Sequence, residues 1–142
     1  MIQRIQSVYL FIAAALLVVT MFFPVAAYGD VQINLLDHDV PFHPYGLLLV
    51  AGGAAIISLV NIFMFKNRTL QLRLCAINIV VITLYYLTYI VYGLLAKTVG
   101  GHLRFILSIG TLLPAISFIL MFMAFHGIKR DDDKVKAADR LR

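Results

Sequence analysis

Four long apolar runs, residues 7–27, 45–65, 74–96 and 105–125, fill most of the 142-residue chain, and none carries Asp, Lys or Arg in its interior. A hydrocarbon core ~30 Å thick needs about 20 apolar residues per helix. Each run meets that length. The runs are continuous, whereas the strands of a membrane barrel alternate over about 10 residues. Apolar residues make up 62% of the chain and charged ones 13%, against ~25% charged in a typical soluble domain. A soluble domain of this size cannot hide so much apolar surface. The expected fold is therefore an all-α, four-helix transmembrane bundle in a single domain. Its spans are expected at about 7–27, 45–65, 74–96 and 105–127, with a cytoplasmic tail over 128–142 that either extends the fourth helix or is disordered. No internal repeat relates the two hairpins.

Charge distribution orients the bundle. Arg4 precedes the first run, Lys66, Arg68 and Arg73 fill the link between the second and third, and six basic residues follow the fourth. Ten of the twelve basic residues thus share one side; only Lys97 and Arg104 lie on the other, with Asp30, Asp37 and Asp39. The positive-inside rule places both termini in the cytoplasm. The net charge of +5 reads as topology plus attraction to anionic lipid headgroups. No basic face is interleaved with aromatics for base stacking, so nucleic acid is not an expected partner.

The first run ends near Pro24, where a missing amide donor is tolerated. Val25-Ala26-Ala27 has the small residues of a signal cleavage site, but the run is longer than a signal core and Arg4 is its single early charge. A retained anchor is expected. Residues 28–44 form the one sizeable outer segment. Val31, Ile33 and Leu35 alternate with Gln32 and Asn34, which reads as a short strand. Asp37-His38-Asp39 reads as a turn, and Val40-Pro41-Phe42 as a return strand. A short outer loop or hairpin between the first two helices is the expectation. In the second run Ala51 and Ala55, and Ala54 and Ser58, have small-xxx-small spacing, which lets helix backbones approach closely. That face serves either the bundle interior or a homo-oligomer. Pro114 lies within the fourth run and is expected to kink it.

Chemistry-bearing residues are sparse. Ionisable groups inside a membrane usually mark proton relays, ion paths or catalysis, and the runs lack them; the chain contains no Glu. Ser58, Ser108 and Ser117 have no in-span base to activate them, so no catalytic residue is expected. His38, His43 and His102 with Asp37 and Asp39 lack tight ligand spacing, no two histidines face each other within the spans as haem would need, and neither a metal nor a cofactor is expected. Cys75 reads as a buried, inert thiol. Asn61 and Asn78 fall at similar depth in the second hairpin. They are expected as an interhelical polar pair, which a lipid environment rewards. Tyr85, Tyr89 and Tyr92 share one helical face and form either a wall for a lipid or quinone or a helix-packing face. Ser108, Thr111 and Ser117 sketch a weak polar stripe of the kind a pore would need.

The start Met1-Ile2-Gln3-Arg4-Ile5-Gln6-Ser7 and the link from Phe65 through Lys66-Asn67-Arg68-Thr69-Leu70-Gln71-Leu72-Arg73 to Cys75 resemble a bacterial family of small four-span inner-membrane proteins, known as a domain of unknown function. The resemblance implies no activity or cofactor. It directs attention to the cytoplasmic side. Gln3, Arg4, Gln6, Lys66, Asn67, Arg68, Gln71 and Arg73 lie there, with amides and guanidinium groups suited to headgroup phosphates or a protein partner. The functional expectation is a non-catalytic accessory or assembly subunit of a larger inner-membrane complex, with membrane lipids and other inner-membrane proteins as partners. The alternative is a lipid- or quinone-binding or transporting protein.

Overall fold

The computed structural model describes residues 2–28, 31–36, 44–99, 103–105 and 108–140. In chain order the elements are α1 (Ile2–Thr20), β1 (Pro24–Tyr28), β2 (Val31–Asn34), α2 (Tyr45–Phe63), α3 (Arg68–Val99), β3 (Leu103–Phe105) and α4 (Ile109–Arg140). The helices form a closed ring in which α1 packs on α2 and α4, and α3 on α2 and α4. This is the all-α bundle that the four apolar runs imply.

Its outer surface is apolar. Leu49 is 75% exposed, Phe63 74% and Val80 66%, an arrangement water would penalise and lipid does not. The helical stretches Tyr45–Phe63, Arg68–Leu95 and Ile109–Ala137 are each long and apolar enough to cross a membrane. The apolar stretch of α1 is shorter, Ile5–Thr20. With its polar first turn, α1 has 19 residues and spans about 28 Å at 1.5 Å per residue.

The first span differs from expectation. Residues 21–27 do not continue the helix. Thr20 folds its hydroxyl back onto the Leu16 carbonyl at 2.8 Å, Pro24 has no amide to extend a helix, and Pro24–Tyr28 is a strand. Likewise Phe105 does not open the fourth span but ends β3. The three strands form one antiparallel sheet in the order β2-β1-β3, with Tyr28 opposite Val31 on one side and Leu103 on the other. The outer strand expected at Val31–Leu35 exists, and its partner is β1. The return strand expected at Val40-Pro41-Phe42 lies outside the described residues.

The sheet caps one end of the bundle. Val25, Ala26, Ile33 and Leu35 pack with Leu47, Ala51 and Tyr85. The alternation read from the sequence is the one observed: Ile33 and Leu35 are buried and Gln32 is exposed. Below this layer Leu17, Ala54, Ala55 and Ile82 form the middle of the core. Leu10, Ala13, Cys75, Met121, Ala124 and Ile128 form the far end. The small-residue face of α2 is used here, since Ala51, Ala54, Ala55 and Ser58 are all buried within the bundle.

The start of α4 is bound to the sheet. Ser108 donates its hydroxyl to the Pro24 carbonyl, and its own amide donates to Thr111 Oγ1 at 3.0 Å, a cap that satisfies an orphan donor of the first turn. A Cβ on Gly110 would lie 2.6 Å from the Pro24 carbonyl oxygen and 2.8 Å from that of Phe23. Only glycine lets α4 approach so close. The helix continues through Pro114 and runs without a break to Arg140, so residues 128–140 of the tail extend the fourth helix. At 32 residues α4 is about 48 Å long, well beyond what a membrane requires.

Candidate functional site

Buried polar groups meet in the α2–α3 hairpin. Asn61 and Asn78 are both fully buried and lie on opposite helices, but they do not bond each other. Asn78 Nδ2 donates to Ser58 Oγ at 2.6 Å, and Asn61 Nδ2 donates to Cys75 Sγ at 3.0 Å. The two bonds share one antiparallel register, because three residues forward on α2 match three residues back on α3. Ser58 in turn donates to the Ala54 carbonyl at 3.0 Å. Each helix thus supplies one amide and one small acceptor, and the expected direct pair is replaced by a reciprocal clamp. The Oδ1 atoms of Asn61 and Asn78 and the hydroxyl of Tyr85 are buried without a hydrogen-bond partner.

The tyrosine face points inward towards the sheet end. Tyr85 is 1% exposed and stands edge-on to Tyr86, with ring centroids 5.5 Å apart. Tyr89 is half-buried and donates to the Val25 carbonyl at 3.5 Å. The Gly46 amide donates to Tyr92 Oη at 3.3 Å. All three residues therefore touch the protein's own elements. The polar stripe of α4 is also engaged internally: Ser117 donates to the Ala13 carbonyl of α1 at 3.2 Å, and Thr111 to the Ser108 carbonyl at 2.8 Å.

At the end opposite the sheet, Asp131 joins three helices. Gln6 Nε2 of α1 donates to Asp131 Oδ2 at 2.6 Å, and Arg68 Nη1 at the start of α3 donates to the Asp131 carbonyl at 3.4 Å. Gln6 also lies over Gly127, whose added Cβ would meet the Gln6 side chain at 3.2 Å. Gln6 and Gln71 are each only 5% exposed. They belong to the packed end and have little surface open to a headgroup or a partner. Asn67 caps α3, its Oδ1 accepting the Leu70 amide at 3.2 Å. Lys66, Asn67 and Arg73 are exposed, and Arg68 is half-buried. Gln3 and Arg4 lie in α1 with side chains outside the described residues.

The described residues include two recesses on the surface. One, of about 500 Å³, is lined by His126, Lys129, Arg130, Asp133, Lys134 and Ala137. The other, an apolar cleft of about 420 Å³ between α3 and α4, is lined by Thr83, Tyr86, Ala115, Phe118 and Ile119. Tyr86, one of its lining residues, donates to the Thr111 carbonyl at 2.8 Å. Among the described residues no group of three or more His, Cys, Asp or Glu is placed to hold a metal ion; His38, His43 and His102 lie outside them.

Sequence reasoning missed Asp131 as a junction and Cys75 and Ser58 as acceptors. The alternation of amide and small residue at three-residue spacing, Ser58 with Asn61 and Cys75 with Asn78, was the available signal for the clamp. Nothing local marks Asp131, because its partners Gln6 and Arg68 are 125 and 63 positions away.

A family model described as "Domain of unknown function (DUF4293)" matches residues 2–141. No curated protein and no solved structure matches the chain.

Proposed function

The chain belongs to the family of that description, DUF4293, and from this premise we propose that it is a non-catalytic accessory or assembly subunit of a larger bacterial inner-membrane complex, with both termini cytoplasmic. The observation that carries the reading is how the polar groups are distributed. Ser58, Asn61, Asn78 and Ser117 are buried and bonded between helices, which is the work of holding a bundle together. Exposed polar groups among the described residues include Lys66 and Asn67 of the α2–α3 link, Arg73 in the second turn of α3, and much of the polar helix beyond Ile128. These stand at one end, the end the positive-inside rule assigns to the cytoplasm. A surface of amides and guanidinium groups there suits contact with an acidic patch on a neighbouring subunit.

The test is a mild-detergent pull-down of the tagged protein, with mass spectrometry of proteins and lipids. A stoichiometric membrane partner, retained less by Lys66→Ala with Arg73→Ala, supports the reading. A lone protein with an unchanged lipid profile sinks it. The second reading, a lipid- or quinone-binding protein, draws on the apolar cleft between α3 and α4 rather than on Tyr85, Tyr89 and Tyr92, which are engaged by the protein itself.

A further inference from the structure

The two surface recesses lie on one side of α4. At 100° per residue, Lys129, Arg130 and Lys134 fall within the same broad arc as Phe118, Ile119 and Phe122. That arc faces away from Ala124, Ile128 and Asp131, which pack into the bundle or bond α1. Within the membrane-crossing part this side is apolar: Ile119 is 58% exposed and Phe122 50%. Beyond Ile128 the same side becomes cationic. From Ile119 to Lys129 the helix rises about 15 Å at 1.5 Å per residue, which is half of a ~30 Å hydrocarbon core. The cleft therefore sits one acyl-chain depth below the basic recess.

We propose that this side of α4 binds one anionic phospholipid, its phosphate against Lys129, Arg130 and Lys134 and an acyl chain descending to the cleft beside Tyr86, Phe118 and Ile119. Charge complementarity selects the headgroup. Among the described residues none of the three cations is paired with a carboxylate, and the ion pair nearby joins Lys136 to Asp132 at 2.6 Å. Asp133 also lines the recess and tempers its charge without cancelling it. A zwitterionic headgroup, which carries its own cation, gains less here than phosphatidylglycerol does. The inference stands independently of the subunit reading, since it concerns a bound lipid and not a protein partner.

The experiment is native mass spectrometry of the full chain released from nanodiscs of mixed phosphatidylglycerol and phosphatidylcholine. One retained phosphatidylglycerol per chain is expected. Each basic side chain near an anionic surface is worth roughly a fivefold factor, so Lys129→Ala/Arg130→Ala/Lys134→Ala weakens retention about a hundredfold. Lys66→Ala/Arg73→Ala, which removes charge from the same end outside the recess, leaves retention intact. Ala115→Phe, which fills the cleft, shortens the lifetime of the adduct while leaving the protein folded by circular dichroism. Equal retention of the two lipids overturns the proposal, as does loss of the adduct in the Lys66/Arg73 variant alone. Displacement by excess inorganic phosphate, with phosphate itself retained, overturns it in favour of a free-anion site.

Discussion

Asn78 donates its side-chain amide to the Ser58 hydroxyl at 2.6 Å, one helical turn from the place where Asn61 donates to the Cys75 sulfur at 3.0 Å. Two residues of α2 and two of α3 thus exchange donors and acceptors in a single register. In lipid such bonds cannot be replaced by water, yet their net worth is modest because the unpacked helices also find partners.

A double-mutant cycle on Ser58→Ala and Asn78→Ala measures that worth. The expected coupling is about 0.6 kcal/mol, with ~1.7 kcal/mol as the ceiling for such pairs. Reversible unfolding in a denaturing detergent gives the number. Coupling indistinguishable from zero would mean that the clamp contributes nothing beyond packing.

Glycine substitutions separate close approach from mere helix content. Gly110→Ala forces its methyl onto the backbone of Phe23 and Pro24 and is expected to cost about 1–3 kcal/mol, as overpacking does. Gly53 has nothing within 4 Å of an added Cβ, so Gly53→Ala is neutral or stabilises by up to about 1 kcal/mol from helix propensity. Thermal melts in the same detergent rank the two. A reversed order would contradict the docking of α4 on β1.

Asp131 is the point where α1 and α3 hold the end of α4. Asp131→Ala removes the acceptor of the Gln6 amide, a charge-assisted bond worth about 1–2 kcal/mol in a half-exposed site. Its sharper effect is local: the helical extension past Ile128 loosens. Trypsin cleavage after Lys129 and Arg130 is expected to speed up several-fold, while the membrane-crossing part stays intact. Asp131→Asn, which keeps an acceptor oxygen, falls between.

Cys75 has no exposed surface. A membrane-permeant maleimide is expected to leave it unlabelled in the folded protein and to label it once the protein is denatured. Asn61→Ala opens space beside the sulfur and raises the labelling rate. Immediate labelling of the wild-type chain would place the thiol on the surface and contradict the α2–α3 packing.

The four helices were legible because each needs about 20 apolar residues in a row, and hydropathy sees that directly. It does not see how an apolar segment is used. Phe22 through Ala27 are as apolar as the helix before them, so the end of α1 at Thr20 was hidden; Pro24 was the true marker, and it also starts a strand. The three residues of β3 are too few to show any period. For the polar groups, depth was readable and partners were not. The level of Asn61 and Asn78 followed from the hairpin link, whereas the choice of Cys75 and Ser58 as acceptors depends on rotation of the helices about their axes. Gln6 and Asp131 lie at opposite ends of the chain, and pattern has no reach over that distance.

The sheet has a consequence for the order of synthesis. Its central strand, β1, is made right after the first helix and can pair with β2 at once, but β3 emerges after the third helix is complete. Until Leu103–Phe105 arrives, one edge of β1 keeps its backbone donors and acceptors without a strand. The sheet therefore acts as a late seam between the two halves of the chain, and a nascent protein stopped before residue 103 would hold a hairpin with an open edge, exposed to whatever else can add a strand.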